Sequence, residues 1–182
     1  KGHFPEPEHD SVIQIANLVT EQGKDKPFVS NVFVLGSCTP IVGTQVIEFE
    51  READLLRGWK DFVQEVDPDI VIGYNIANFD LPYLVNRAAT LNVQDFPFLG
   101  RSLRTKSVVK TNTFSSKAYG TRETQSTSMD GRVQLDILAV IQRDYKLSSY
   151  TLNAVSAHFL NEQKEDVHHS IIGDLHNGSA ED

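Results

Sequence analysis

Residues 70–84 read IVIGYNIANFDLPYL. Ile70, Val71 and Ile72 form a short, wholly apolar run ending at Gly73, the pattern of an interior strand in a covered sheet. From Asp80 the period changes. Leu81, Leu84, Val85 and Ala88 share one helical face, and Pro82 sits in the first turn, where its missing N–H costs nothing. A strand passed into a helix through a loop holding Gly73, Asn75 and Asn78 is the repeating unit of an α/β sheet. Such sheets place their chemistry at the carboxyl ends of the strands, so Gly73–Asp80 is the first place to look for a site.

Upstream, KGHFPEPEHD reads as a polar, extended lead-in. Three β-branched-rich runs follow: Val12 to Val19, Asn31 to Leu35 and Gln45 to Phe49. Their short connections suggest an antiparallel meander. Leu55, Trp59, Phe62 and Val66 then recur at helical spacing, predicting a helix over residues 51–66 that Asp67-Pro68-Asp69 ends. Downstream, residues 96–130 lack a core pattern and read as a long excursion containing a hairpin. A strand over Val133 to Leu135, a helix begun by Ile137, Leu138, Ile141 and Tyr145, and a helix over Leu152 to Leu160 complete the order. Three strands followed by β-α alternation indicate an α/β sheet of mixed direction with helices on its faces.

The 182 residues fit one domain, and 40% apolar with 23% charged residues is enough to build a core. No apolar run approaches the roughly 18 residues needed to span a bilayer, and no leader pattern opens the sequence. A single cysteine, Cys38, rules out an internal disulfide framework and suggests a reducing compartment. Six scattered histidines without cysteine pairs do not make a structural zinc site. The one methionine is Met129 and the first residue is Lys1, which suggests a piece of a longer translation product. Net charge is −8, against a free-standing nucleic-acid binder held by phosphate contacts alone. Yet Arg101, Arg104, Lys106, Lys110, Lys117, Arg122 and Arg132 face only Glu123 and Asp130 in their stretch, a local net charge of +5. That cluster is either a solvated loop or a basic arm on an acidic body.

Taken residue by residue, the site candidates have ordinary readings. Asp80 before a helix reads first as an N-cap, and Phe79 as a core plug. Asp136, between a strand and a helix, reads as a cap before it reads as a metal ligand. His168-His169 and the Glu162–Asp166 stretch read as surface.

Asn75, Phe79 and Asp80 followed by LPYL resemble the second exonuclease motif of family B DNA polymerases. FPEPEHD with VIQIA, DFPFLGR, FSSKAYGTRET, GRVQLD and YKLSSYTLNAVSAHFLNEQKEDV extend the resemblance, to eukaryotic replicative members, over Phe4 to about Val167. The resemblance implies a 3′–5′ proofreading exonuclease domain, an α/β ribonuclease H-like mixed sheet with flanking helices. It implies DNA replication in the nucleus, with a primer-template and a single-stranded 3′ end as substrate. The polymerase's remaining domains, its accessory subunits and a sliding clamp would be partners through regions outside this chain. Hydrolysis in that family uses two magnesium ions about 3.5–4 Å apart held by carboxylates. By resemblance Asp80 is catalytic and a metal ligand. Asn75 and Phe79 position the 3′ end, and Lys117 and Arg122 of the excursion contact DNA.

Two parts of the family pattern are absent from these residues. The Asp-x-Glu motif belongs before Lys1, and the Tyr-x-x-x-Asp motif belongs after Asp182; Tyr150 is followed at that spacing by Ala154. The strand carrying the first motif would be central in the ribonuclease H-like order. The chain alone is therefore expected to be inactive and at best marginally folded. The alternatives are a non-catalytic ribonuclease H-like nucleic-acid-binding or scaffold domain, or an unrelated nucleotide-binding α/β enzyme. The second is weak, since no GxGxxG or P-loop follows a strand.

Overall fold

A computed structural model describes residues 4–116, 120–162, 167 and 169–179. The first sheet contains β1 (Gln14–Val19), β2 (Val29–Leu35) and β3 (Gln45–Phe49) in that order. β1 and β2 are antiparallel, but β2 and β3 run parallel, with Leu35 beside Phe49. This corrects the expected meander. A parallel partner requires the chain to double back along β2 over residues 36–44. Two positive-φ glycines, Gly36 (φ 90) and Gly43 (φ 77), make the reversals possible, because only glycine enters that region without a steric penalty.

α1 (Glu52–Val66) lays Leu55, Leu56, Trp59 and Val63 against this sheet. Trp59 buries its ring and donates its indole N–H to Asn17 Oδ1 at 2.9 Å, tying helix to strand. Asp67 ends the helix in the left-handed region (φ 49), its N–H bonded to Val63 O. Phe96 and Leu99, fully buried, close the core from the loop after the second helix.

β4 (Ile70–Gly73) leads to α2 (Asp80–Thr90). Between α2 and β7 (Val133–Asp136) stand β5 (Val109–Ser116) and β6 (Gly120–Thr127), paired antiparallel from Val109↔Thr127 to Ser116↔Gly120. α3 (Ile137–Asp144), α4 (Leu152–Leu160) and α5 (His169–His176) follow. α5 was not anticipated, because its apolar residues, Ile171, Ile172 and Leu175, are too few to show a period.

The described strands form three small sheets, not one. Among the described strands β4 pairs only with β7, in parallel, and so stands at the edge of its sheet. One face of this pair exposes Ile70 (51%), Ile72 (59%), Val133 (60%) and Leu135 (37%). The apolar run that signals a covered strand is present, but in the described chain only the Val71 face packs on the core. A buried cation holds the two strands together at their start. Arg132, its side chain almost wholly enclosed, donates to Asp67 Oδ1 (2.6 Å), Pro68 O (2.8 Å) and Leu99 O (2.9 Å). Arg101 adds bonds to Asp67 and Asp69. Among the described residues no helix is long and apolar enough to cross a membrane.

Candidate nuclease site

The parallel register that sets Gly73 beside Asp136 brings the carboxyl ends of β4 and β7 together. The loop leaving β4 turns sharply. A Cβ on Gly73 would overlap the Ile76 side chain, and Asn75 adopts φ 61, a left-handed conformation that asparagine tolerates better than most residues. Asp136 braces that turn. Its Oδ1 accepts the N–H groups of Asn75 (2.8 Å) and Leu138 (3.0 Å), and its Oδ2 accepts that of Ala77 (3.1 Å). Asp136 thus caps α3, as its position suggested, and also fixes a loop some sixty residues earlier. No local signal in the sequence pointed to that second role.

Asp80 is the first residue of α2. Phe79 occupies the N-cap position, and no side chain caps the helix there, so the N-cap reading of Asp80 is corrected. Its carboxyl is pushed above the ordinary aspartate value, chiefly by burial; a bond to its own backbone opposes this, and the Asp136 charge adds to it. A carboxylate left uncapped beside a second negative charge is the arrangement expected of a cation ligand.

Phe79 is half-buried, and the ring of Phe4 stands edge-on to it with centroids 5.1 Å apart. The Tyr83 ring is tilted against it, with centroids 5.6 Å apart. Phe4 is 73% exposed, so the pair offers an open aromatic edge one residue from Asp80. Phe4 escaped the sequence reading because a single aromatic in a polar lead-in has no period. It reaches the site because its segment is clamped. Arg87 and Glu52, both buried, exchange two bonds of 2.8 Å. Arg87 also donates to Pro7 O (3.1 Å) and Ser11 Oγ (3.3 Å), Glu52 accepts from Val12 N–H (2.7 Å), and Tyr83 OH donates to Asp10 O (2.7 Å).

The structure therefore gathers Asn75, Phe79 and Asp80 in one loop and adds Phe4, Asn78 and Asp136. Lys117 lies outside the described residues. Arg122 is placed only by its backbone in β6, opposite Phe114. Of the basic cluster, Arg101 and Arg132 are engaged by Asp67 and Asp69 and are not available to a polyanion.

Among the described residues no three His, Cys, Asp or Glu side chains converge on a metal position. Asp136 already receives three N–H groups, whereas the Asp80 carboxylate accepts from its own backbone. The described residues do not by themselves fit a two-cation site, and no hydrolytic step follows from them alone.

The exonuclease domain of DNA polymerase family B matches residues 1–155. The chain belongs to that family. Relatives named DNA polymerase delta catalytic subunit are 64% identical in Glycine max, 60% in Schizosaccharomyces pombe and 58% in Drosophila melanogaster, each over 181 residues. Each alignment covers 100% of this chain but 17% of the relative. The family B exonuclease chain thus spans about a sixth of the length of those polymerases. Asp80 and its loop lie within the matched region.

Proposed function

We propose that this chain is part of a proofreading 3′–5′ exonuclease that trims mispaired primer ends during DNA replication. The observation that carries the reading is the open Phe4–Phe79 edge beside the uncapped Asp80, at the joined ends of β4 and β7. Base-on-aromatic stacking contributes about 1–3 kcal/mol per base and tolerates any base, which suits an enzyme that must accept every mismatch. Asn75 and Phe79 hold the 3′-terminal nucleotide, Lys117 and Arg122 meet the phosphate backbone, and Asp80 supplies one carboxylate to a magnesium site. The family's Asp-x-Glu and Tyr-x-x-x-Asp motifs would supply the other ligands, so the 182 residues alone do not hydrolyse DNA at a useful rate.

A ribonuclease H-like sheet fits the same observations. β1 and β4 each have one open edge, and a strand between them would join the first two sheets into one. The whole protein would act in the nucleus on primer-template DNA, with its polymerase domains, accessory subunits and sliding clamp engaged elsewhere.

The test is a gel assay with magnesium on a 3′-mismatched primer, using a polypeptide extended to include both motifs and its Asp80→Ala twin. Digestion that disappears in the twin is the expected result. Digestion surviving in both removes Asp80 from the chemistry. No digestion by a folded protein favours a nucleic-acid-binding scaffold.

A further inference from the structure

We infer that the groove between α2 and β5, together with the open edge of β5 that continues it, is a docking surface for an extended acidic peptide. The surface lies along the C-terminal half of α2 and uses none of the residues proposed for hydrolysis. The groove has a volume of about 550 Å³. Val85 and Ala89 of α2, Pro97 of the loop after it, and Val108 and Val109 where β5 begins give it an aliphatic lining. Among the described residues no aromatic ring lines it, so a nucleic-acid base finds no stacking platform there.

Among the described strands β5 pairs only with β6, so its other edge is open. The register shows which backbone groups face that edge. In an antiparallel pair, facing residues alternate between those that exchange both hydrogen bonds and those that exchange none. Ser128 N–H bonds Val108 O at 3.0 Å, whereas Gln125 N–H turns outward to Asn78 Oδ1 (2.9 Å) and Thr127 O turns outward to the Gln134 amide (2.6 Å). The Val109↔Thr127 and Thr111↔Gln125 pairs are therefore the non-bonded ones. Val109 and Thr111 accordingly present their own N–H and C=O groups on the open side of β5. The groove reaches Val109, the residue at which that edge begins. A peptide laid along the edge gains main-chain bonds there, while its alternate side chains face the aliphatic groove.

Charge selects the peptide. Arg101 and Arg132 are engaged by Asp67 and Asp69, but Arg104, Lys106 and Lys110 are exposed and have no ion-pair partner among the described residues. Lysine beside an open edge discourages pairing with neutral or basic strands, and the same charge favours an acidic one.

The experiment uses the extended polypeptide without magnesium, so that no nuclease activity enters the readout. The probe is a labelled synthetic peptide alternating valine with glutamate, aliphatic on one face and acidic on the other; its counterpart alternates valine with lysine. Binding is followed by fluorescence anisotropy and by hydrogen exchange along β5. The acidic peptide binds and slows exchange of the Thr111 amide, the Lys110 and Asn112 amides that face β6 are unchanged, and the lysine peptide does not bind. Thr111→Pro removes an outward N–H and no ladder bond, a change that an edge strand tolerates, and abolishes binding. Lys106→Glu combined with Lys110→Glu weakens binding about tenfold, roughly threefold for each exposed charge. Exchange at Lys110 and Asn112 shows whether Thr111→Pro keeps the ribbon; where it does not, the charge-reversed variant and the lysine peptide decide. No binding by the folded polypeptide, binding unchanged in the charge-reversed variant, or protection confined to residues away from β5 overturns the inference. Displacement of the peptide by an oligothymidylate that also binds Thr111→Pro assigns the basic strip to phosphates and overturns it equally.

Discussion

Asp136 accepts the backbone N–H of Asn75 at 2.8 Å across 61 positions of sequence, and the conformation of the candidate site depends on that bond. The same carboxylate serves Ala77 and Leu138, so its removal orphans three donors at once. Asp136→Ala should destabilise the fold by about 1–3 kcal/mol, the cost of stranded, part-buried donors. Asp136→Asn, which keeps one acceptor oxygen, should fall between. Urea unfolding of the three proteins checks the order.

Asp80 yields a pH prediction. Its folded carboxyl titrates above the ordinary 3.8, so the folded state takes up that proton more readily than the unfolded chain. Ionised Asp80 therefore opposes folding fully above its raised folded value. The opposition fades as pH falls through that value and vanishes below 3.8. Asp80→Asn should raise Tm at neutral pH without added metal, with the gain lost in strong acid. Melting curves across that range decide it, and an equal gain at every pH would contradict the electrostatic cause.

The Arg87–Glu52 pair is buried on both sides, with side chains 8% and 10% exposed. Removing one member leaves the other charge enclosed, at a cost of about 3–5 kcal/mol, whereas replacing both together is milder. Arg87→Met and Glu52→Gln should each unfold at lower denaturant than the double variant. Burial pushes the Glu52 carboxyl up, but bonds from Arg87 and Val12 outweigh it and hold the group below 4.5. Its contribution is thus present above that value and is lost as pH falls through the lower folded one.

Asn75 at φ 61 separates backbone strain from side-chain chemistry. Asn75→Gly should keep the stability of the fold. Asn75→Val, whose branched side chain resists left-handed backbone, should lose about 1–2 kcal/mol. Thermal melts of the two variants test this, and equal melting would mean that the loop relaxes freely.

Lys117 and Arg122 should act as phosphate contacts. Each contact with single-stranded DNA releases about 0.7 counterion, so replacing both by Ala should flatten the plot of log affinity against log salt by about 1.4. Fluorescence titrations of a labelled oligonucleotide at several salt concentrations measure the slope. An unchanged slope would assign the phosphate path elsewhere, with Arg104, Lys106 and Lys110 the next basic residues to substitute.

What the sequence determined is local. The 3.6-residue spacing of Leu55, Trp59, Phe62 and Val66 specifies α1, the apolar run at Ile70–Ile72 specifies a strand, and Asn75, Phe79 and Asp80 mark the loop between β4 and α2. Each signal lies within a dozen neighbouring residues, where backbone period and side-chain chemistry are coupled directly. The tertiary structure alone decided the partners. It set β3 parallel to β2 and, among the described strands, paired β4 with β7 alone. It also made Asp136 a brace as well as a cap, and brought Phe4 across to Phe79. These outcomes turn on where buried N–H groups find acceptors and which apolar faces meet. The donors and acceptors concerned lie tens of residues apart, beyond the reach of any local period.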